Sequence, residues 1–267
     1  MGETLRTVKN FCSCFLLCFT LISVSTCSKD GDINIFSVEQ DLEFGRQTDQ
    51  EIRSNPSEFP ILDPAEYPEA YAYLQRMTNE IVRQGNVEYA DVFPYEVAII
   101  NQDVENAFAT PGGFIYVYTG LVDALDNESE LAGVLAHEIA HSAERHSTDQ
   151  LTSQYGFSTL VGLLTGGDPG LLSQVVGTLL TLRFSRSDEA EADARSVDYL
   201  CNTQYAANGA AGFFESIQGG GGAPEFLSSH PSPDNRVEDI NARAQEQNCS
   251  VATGDQSAFQ QFKADLP

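Results

Sequence analysis

Basic residues are scarce in this sequence: 14 Lys and Arg stand against 39 Asp and Glu in 267 residues, a formal net charge of −25. That excludes nucleic acid as a partner, because binding phosphates requires concentrated Lys and Arg. The uncharged run near the N-terminus, Phe11 to Ser25, has 15 residues, whereas a membrane-spanning helix needs roughly 20. A second apolar stretch, Leu171 to Leu182, is shorter and carries Ser, Gln and Thr. No repeat is visible, which excludes an appended solenoid. Wholesale disorder is excluded by an apolar content of 42%, and the length suits one domain with a substantial core.

Arg6 and Lys9 precede the uncharged run, and small residues follow it. A basic start, a short apolar stretch and a small-residue exit describe a secretion signal over residues 1–26. The exit Val24-Ser25-Thr26-Cys27 resembles a bacterial lipobox, apart from Thr26 where Gly, Ala or Ser is usual. The resemblance implies lipidation of Cys27 and a membrane held through that lipid; plain secretion and an uncleaved anchor are the alternatives. Residues 27–36 read as a polar linker and 37–267 as the domain. Cys12, Cys14 and Cys18 leave with the signal, so Cys201 and Cys249 remain. In an oxidising compartment this pair is a candidate disulfide, the alternative being two separate buried thiols.

The spacing of Tyr71, Leu74, Met77 and Ile81 predicts a helix with one buried face. Helical patterning extends from Ser37 to about Arg83, broken between Pro56 and Pro68. Tyr95–Ile100 and Phe114–Tyr118 are rich in β-formers and predict two strands joined by a loop that ends in the turn Pro111-Gly112-Gly113. Asn127 followed by Glu130 marks a helix start, with the helix running to about His146. Further helices are predicted near Gln154–Leu164, Leu171–Leu200 and Ala207–Ile217, with a last one inside Pro233–Glu246, and Gly219–Gly222 is read as flexible.

Histidine is rarer still, with four in the chain, and three fall between positions 137 and 146. His137-Glu138-Ile139-Ala140-His141 places two imidazoles about 40° apart around a helix, so both can reach one metal ion. Zinc suits two imidazoles plus a carboxylate with an open position for water, and Glu138 can take the proton from that water. His146 would lie about 140° round the same helix from His141, which makes it a poor third ligand and a better helix-end cation. The third ligand comes from elsewhere. In Ser185-Arg186-Ser187-Asp188-Glu189-Ala190-Glu191-Ala192-Asp193, Glu189 and Asp193 share a helix face; one can bind metal while the other accepts an imidazole N–H.

The HEIAH block with Glu144-Arg145-His146 after it, and SRSDEAEAD downstream, resemble the HtpX/BepA-type family of gluzincin metallopeptidases, which includes the type 1 CAAX prenyl protease and the mitochondrial Oma peptidase. The resemblance runs from about Ser37 to at least Glu246. It implies zinc held by His137, His141 and Glu189, Glu138 as general base, and Asp193 as the carboxylate that orients a ligand. Asn106-Ala107-Phe108 begins a segment similar to the one bordering the family's substrate cleft, where an edge strand can pair with an extended peptide. His230-Pro231 with Arg236 resembles the family block that approaches the metal. There His230 can occupy the open position as a latch or support an oxyanion, and Arg236 can do the latter or anchor the loop through a carboxylate.

The sequence lacks the transmembrane helices of HtpX-like and prenyl-protease members and the helical repeats of BepA. Neither intramembrane substrates nor docking through repeats is therefore implied; what remains is similar to short, peptidase-only envelope lipoproteins. The expected fold is α+β, mostly helical and zincin-like, with a small sheet edging the cleft and HExxH on a central helix. The expected function is zinc-dependent hydrolysis of unfolded or misassembled cell-envelope proteins, by a chain exported to the bacterial envelope and anchored there facing the periplasm. The competing reading is a chaperone-like assembly factor with a latched zinc site.

Overall fold

A computed structural model of the chain describes residues 34–156, 159–160, 169–219, 225–231 and 235–267. The expected signal, Cys27 and the first part of the expected linker lie outside the described residues, as do Gly220–Gly222 and most of the helix read near Gln154–Leu164. The chain is α+β and mostly helical, with eleven helices and three strands among the described residues. None of those helices is long and apolar enough to cross a membrane.

Helix α1 (Val38–Ser54) starts on a capping box, in which the Ser37 side chain and Gln40 satisfy each other's backbone N–H. The chain then reaches α2 (Pro68–Gln84), with Pro at its first position where no N–H is needed. Leu74, Met77 and Ile81 are fully buried on the face their spacing predicts. The linker ends earlier than position 36: Phe36 is buried, and the Asn34 amide donates to Thr148 Oγ1 at 2.9 Å. These last residues join the core because Phe36 packs with Phe44 and Leu151.

The sheet departs from the two-strand expectation. Strands β1 (Glu96–Ile100), β2 (Ala107–Thr110) and β3 (Phe114–Tyr118) run in the order β1-β3-β2. β1 pairs parallel with β3, and β2, inside the segment read as a loop, forms the hairpin with β3. The hairpin turn is the predicted Pro111-Gly112-Gly113, with both glycines at positive φ (76° and 85°), where side chains are disfavoured. Alternate residues face opposite cores: Val97, Ile99, Ile115 and Val117 meet the main core, while Ala98, Ile100, Tyr116 and Tyr118 meet Ile52 and Phe59. Burial of both faces explains why these strands read as continuous apolar runs.

Past a short α3 (Thr119–Ala124), helix α4 (Glu128–Ala143) runs through the centre, capped by Asn127, whose side chain accepts from the N–H groups of Ser129 and Glu130. From Ser129 to Ala143 every residue is buried. Small residues allow this: a Cβ on Gly133 would lie 2.1 Å from the backbone nitrogen of Ala210, so α4 and α8 (Gly209–Gly219) touch backbone to backbone. The helix expected to reach His146 stops three residues earlier. Arg145 takes a left-handed conformation (φ 64°), and the chain turns into α5 (His146–Tyr155). Helices α6 (Pro169–Leu179) and α7 (Arg186–Leu200) divide the single helix read over Leu171–Leu200. A single turn α9 (Phe226–Ser229), α10 (Arg236–Glu246) and a terminal α11 (Ser257–Ala264) complete the order; α11 was not expected from the sequence. Cys201, at the end of α7, is disulfide-bonded to Cys249 just beyond α10.

Candidate metal centre

Helix α4 contributes His137, Glu138 and His141, all fully buried. Helix α7, started by a second capping box between Ser185 and Asp188, brings Glu189 and Asp193 alongside. The end of α9 supplies His230, and α10 opens on Arg236. His137, His141, Glu189 and His230 offer ligand atoms within 4.8 Å of one another.

Two nitrogens of the HExxH pair, His137 Nε2 and His141 Nε2, lie 3.0 Å apart. Glu189 Oε2 is 3.5 Å from His137 Nε2, and its Oε1 is 3.4 Å from His141 Nε2. His230 Nδ1 is 3.3 Å from His137 Nε2 and 2.9 Å from Glu189 Oε1. Ligands at about 2.0–2.1 Å in a tetrahedron stand about 3.3 Å from each other, so these separations fit a zinc-sized ion. The donor set of imidazoles and one carboxylate fits zinc as well.

Each group is held from behind. His137 Nδ1 lies 3.0 Å from Asp193 Oδ1. Arg236, 3% exposed, donates Nε and Nη2 to the two oxygens of Asp193 at 2.7 and 2.8 Å, and Nη2 also to Glu189 Oε2 at 2.8 Å. Its guanidinium stacks 3.7 Å above the Phe214 ring. Arg236 thereby bridges the two carboxylates, Asp193 and Glu189. Phe184 stacks on His141 (3.9 Å between centroids) and Phe226 on His230 (4.2 Å), which fixes both ring planes.

Burial sets the electrostatics. It pushes the Glu138 carboxyl up, against the opposing pull of His230, His137 and the Ala109 backbone N–H. Both Glu138 oxygens are buried without a well-formed hydrogen bond among the described residues, and His230 Nε2 stands 3.5 Å from Oε1. Glu189 is also raised by burial, but His230 and the bonds from His137 and His141 hold it well below the ordinary range. His137 is lowered by burial yet raised more by Asp193 and Glu189, to about 9, whereas burial dominates at His141 and holds it low.

A cleft of about 580 Å³ opens beside His230 and Phe184. Its walls are Asn106 and the strand β2 that follows it (Phe108–Thr110), the end of α1, and α6 with the segment after it. β2 is the edge strand of the sheet, and Asn106 presents a buried Oδ1 without a partner among the described residues. Ala107 faces the core instead of the cleft.

His146 lies elsewhere than expected. It begins a helix, and its Nδ1 lies 2.9 Å from Nδ1 of His141. The reversal at Arg145 carries no Gly or Asn signal that would have revealed it. Phe184, Phe214 and Phe226 were likewise missed, since aromatic residues mark core and site alike.

The model of peptidase family M48 matches residues 68–244. The chain belongs to peptidase family M48. Among its relatives, the beta-barrel assembly-enhancing protease of Yersinia pestis is 30% identical over 226 residues, 78% of this chain and 44% of that protein. The mitochondrial metalloendopeptidase OMA1 of Arabidopsis thaliana is 33% identical over 141 residues, 52% of this chain and 29% of that protein. Metalloprotease YcaL of Escherichia coli is 31% identical over 147 residues, 52% of this chain and 58% of that protein. This chain therefore spans between 29% and 58% of the length of these M48 relatives.

Proposed function

We propose that this chain is a zinc endopeptidase of the bacterial cell envelope, anchored through Cys27 and acting on unfolded or misassembled envelope proteins. The observation that carries the reading is Glu138: a fully buried carboxylate without a well-formed hydrogen bond among the described residues, beside a four-donor cluster at the end of a cleft. Such a group is costly to bury, and a general base is what uses it. Similarity to the beta-barrel assembly-enhancing protease of Yersinia pestis supports the envelope setting.

In this reading His137, His141 and Glu189 hold the ion, and Asp193 keeps the His137 N–H turned away from it. A bound zinc ion supplies Lewis-acid polarisation of the scissile carbonyl and of the attacking water. Glu138 would take the proton of that water and return it to the leaving amine. The free edge of β2 can pair with an extended peptide, with Asn106 and Phe108 at the cleft wall. His230 lies between the ligand set and Glu138, and would have to move aside before water and substrate enter.

That last placement favours a second reading, a chaperone-like factor whose site stays latched. One comparison separates the two: the purified chain is incubated with an outer-membrane β-barrel protein, native and urea-unfolded, beside Glu138→Gln. An endopeptidase fragments the unfolded form, and the Gln variant does not. Suppressed aggregation without fragments, equal in both proteins, would favour the chaperone.

A further inference from the structure

We infer that His146 is a positioning residue for the metal centre, holding His141 in its ligating tautomer through a direct imidazole–imidazole hydrogen bond. The inference rests on the reading of His141 as a ligand.

Nε2 of His141 faces His137 Nε2 at 3.0 Å and Glu189 Oε1 at 3.4 Å, so a lone pair there requires the ring proton on Nδ1. The partner of His141 Nδ1 is His146 Nδ1, at 2.9 Å. His146 must then accept at Nδ1 and carry its own proton on Nε2, which faces Glu191 Oε2 at 3.7 Å. Metal-binding histidines ordinarily present their second N–H to an acceptor that fixes tautomer and ring orientation. For His137 that acceptor is the Asp193 carboxylate, 3.0 Å away. For His141 it is another imidazole, so the cluster gains an oriented ligand without a further carboxylate.

The backbone is arranged to put His146 there. A continued α-helix would carry it about 140° away from His141. Instead Arg145 adopts φ 64°, a left-handed conformation that is disfavoured for a residue bearing a Cβ. Its side chain holds the turn closed: it is nearly buried and donates to Asp41 and to the carbonyl of Phe36. The strained corner, the buried arginine and the packed segment before α1 together serve one ring, itself only 5% exposed.

The test is zinc affinity of the purified chain, by competition with a chromogenic chelator, for wild type, His146→Gln and His146→Leu. Gln can accept the His141 N–H through its side-chain oxygen; Leu cannot. The Leu variant is expected to bind zinc about 10–100-fold more weakly, with Gln recovering most of the loss and with a shifted visible spectrum of the cobalt-substituted Leu protein. Wild-type affinity in the Leu variant, or equal losses in both, would overturn the inference. If the Leu variant does not fold, ¹⁵N-histidine NMR of the zinc-loaded wild type decides. A nitrogen–nitrogen coupling across the hydrogen bond is expected, with the proton on His141 Nδ1; a proton on His146 Nδ1 overturns it. A wild type that binds no zinc would instead overturn the metal reading on which this inference rests.

Discussion

Replacing Arg236 with Met tests how the carboxylates of the site are held. Arg236 makes three charge-assisted hydrogen bonds of 2.7–2.8 Å to Asp193 and Glu189, all buried. Met keeps much of the apolar packing over Phe214 but leaves two carboxylates without their cation. Breaking a buried pair from one side costs about 3–5 kcal/mol, because the remaining charge is uncompensated. For a domain of this size each kcal/mol lowers Tm by about 2–4 °C, so a drop of roughly 6–20 °C is expected. Arg236→Lys restores the charge but not the planar fork that serves two carboxylates, and should fall between. Thermal unfolding followed by circular dichroism measures both. A Met variant within about 2 °C of wild type, or Lys no better than Met, would refute the claim that Arg236 anchors this site.

Other expectations concern separate parts of the molecule. Burial raises the Asp149 carboxyl to about 6, against the pull of Arg145 and His146. A raised acid is disfavoured in its charged form by folding, so stability falls as pH rises from about 4 through 6. Asp149→Asn should therefore gain about 1–2 kcal/mol at pH 7.5, discounted for partial exposure, and nothing at pH 4; a pH-independent change would contradict this. The Cys201–Cys249 disulfide closes a separation of 48 residues, and Cys201→Ser with Cys249→Ser should cost about 2–4 kcal/mol in denaturant unfolding, unless the midpoint proves unchanged. His230→Ala should raise basal proteolysis of an unfolded substrate; equal or lower activity would dismiss the latch.

Much of the site was legible because its chemistry is spaced locally. His137, Glu138 and His141 stand on one helical stretch whose period points both rings one way, and Glu189 and Asp193 repeat that geometry on α7. Where a single capping or turn residue decides the backbone, at Asn127 and Pro111–Gly113, reading and structure agree. What escaped depends on partners distant in the chain. β2 is four residues long, too short for periodicity, and parallel pairing of β1 with β3 is a tertiary outcome. Arg145 adopts a glycine-like conformation because Asp41 and the Phe36 carbonyl, more than a hundred residues earlier, hold its side chain. His146 was misplaced for that reason alone: the helix on which its angle was reckoned had already ended.

The most direct test of the central claim compares zinc-loaded wild type, chelator-stripped wild type and zinc-loaded Glu138→Gln on one unfolded protein, with bound zinc quantified in each. One zinc per chain in wild type and in the Gln variant, with fragments from zinc-loaded wild type alone, is the predicted result. Cleavage by the Gln variant at the wild-type rate, with zinc bound, would contradict Glu138 as the base and with it the mechanism argued from its burial.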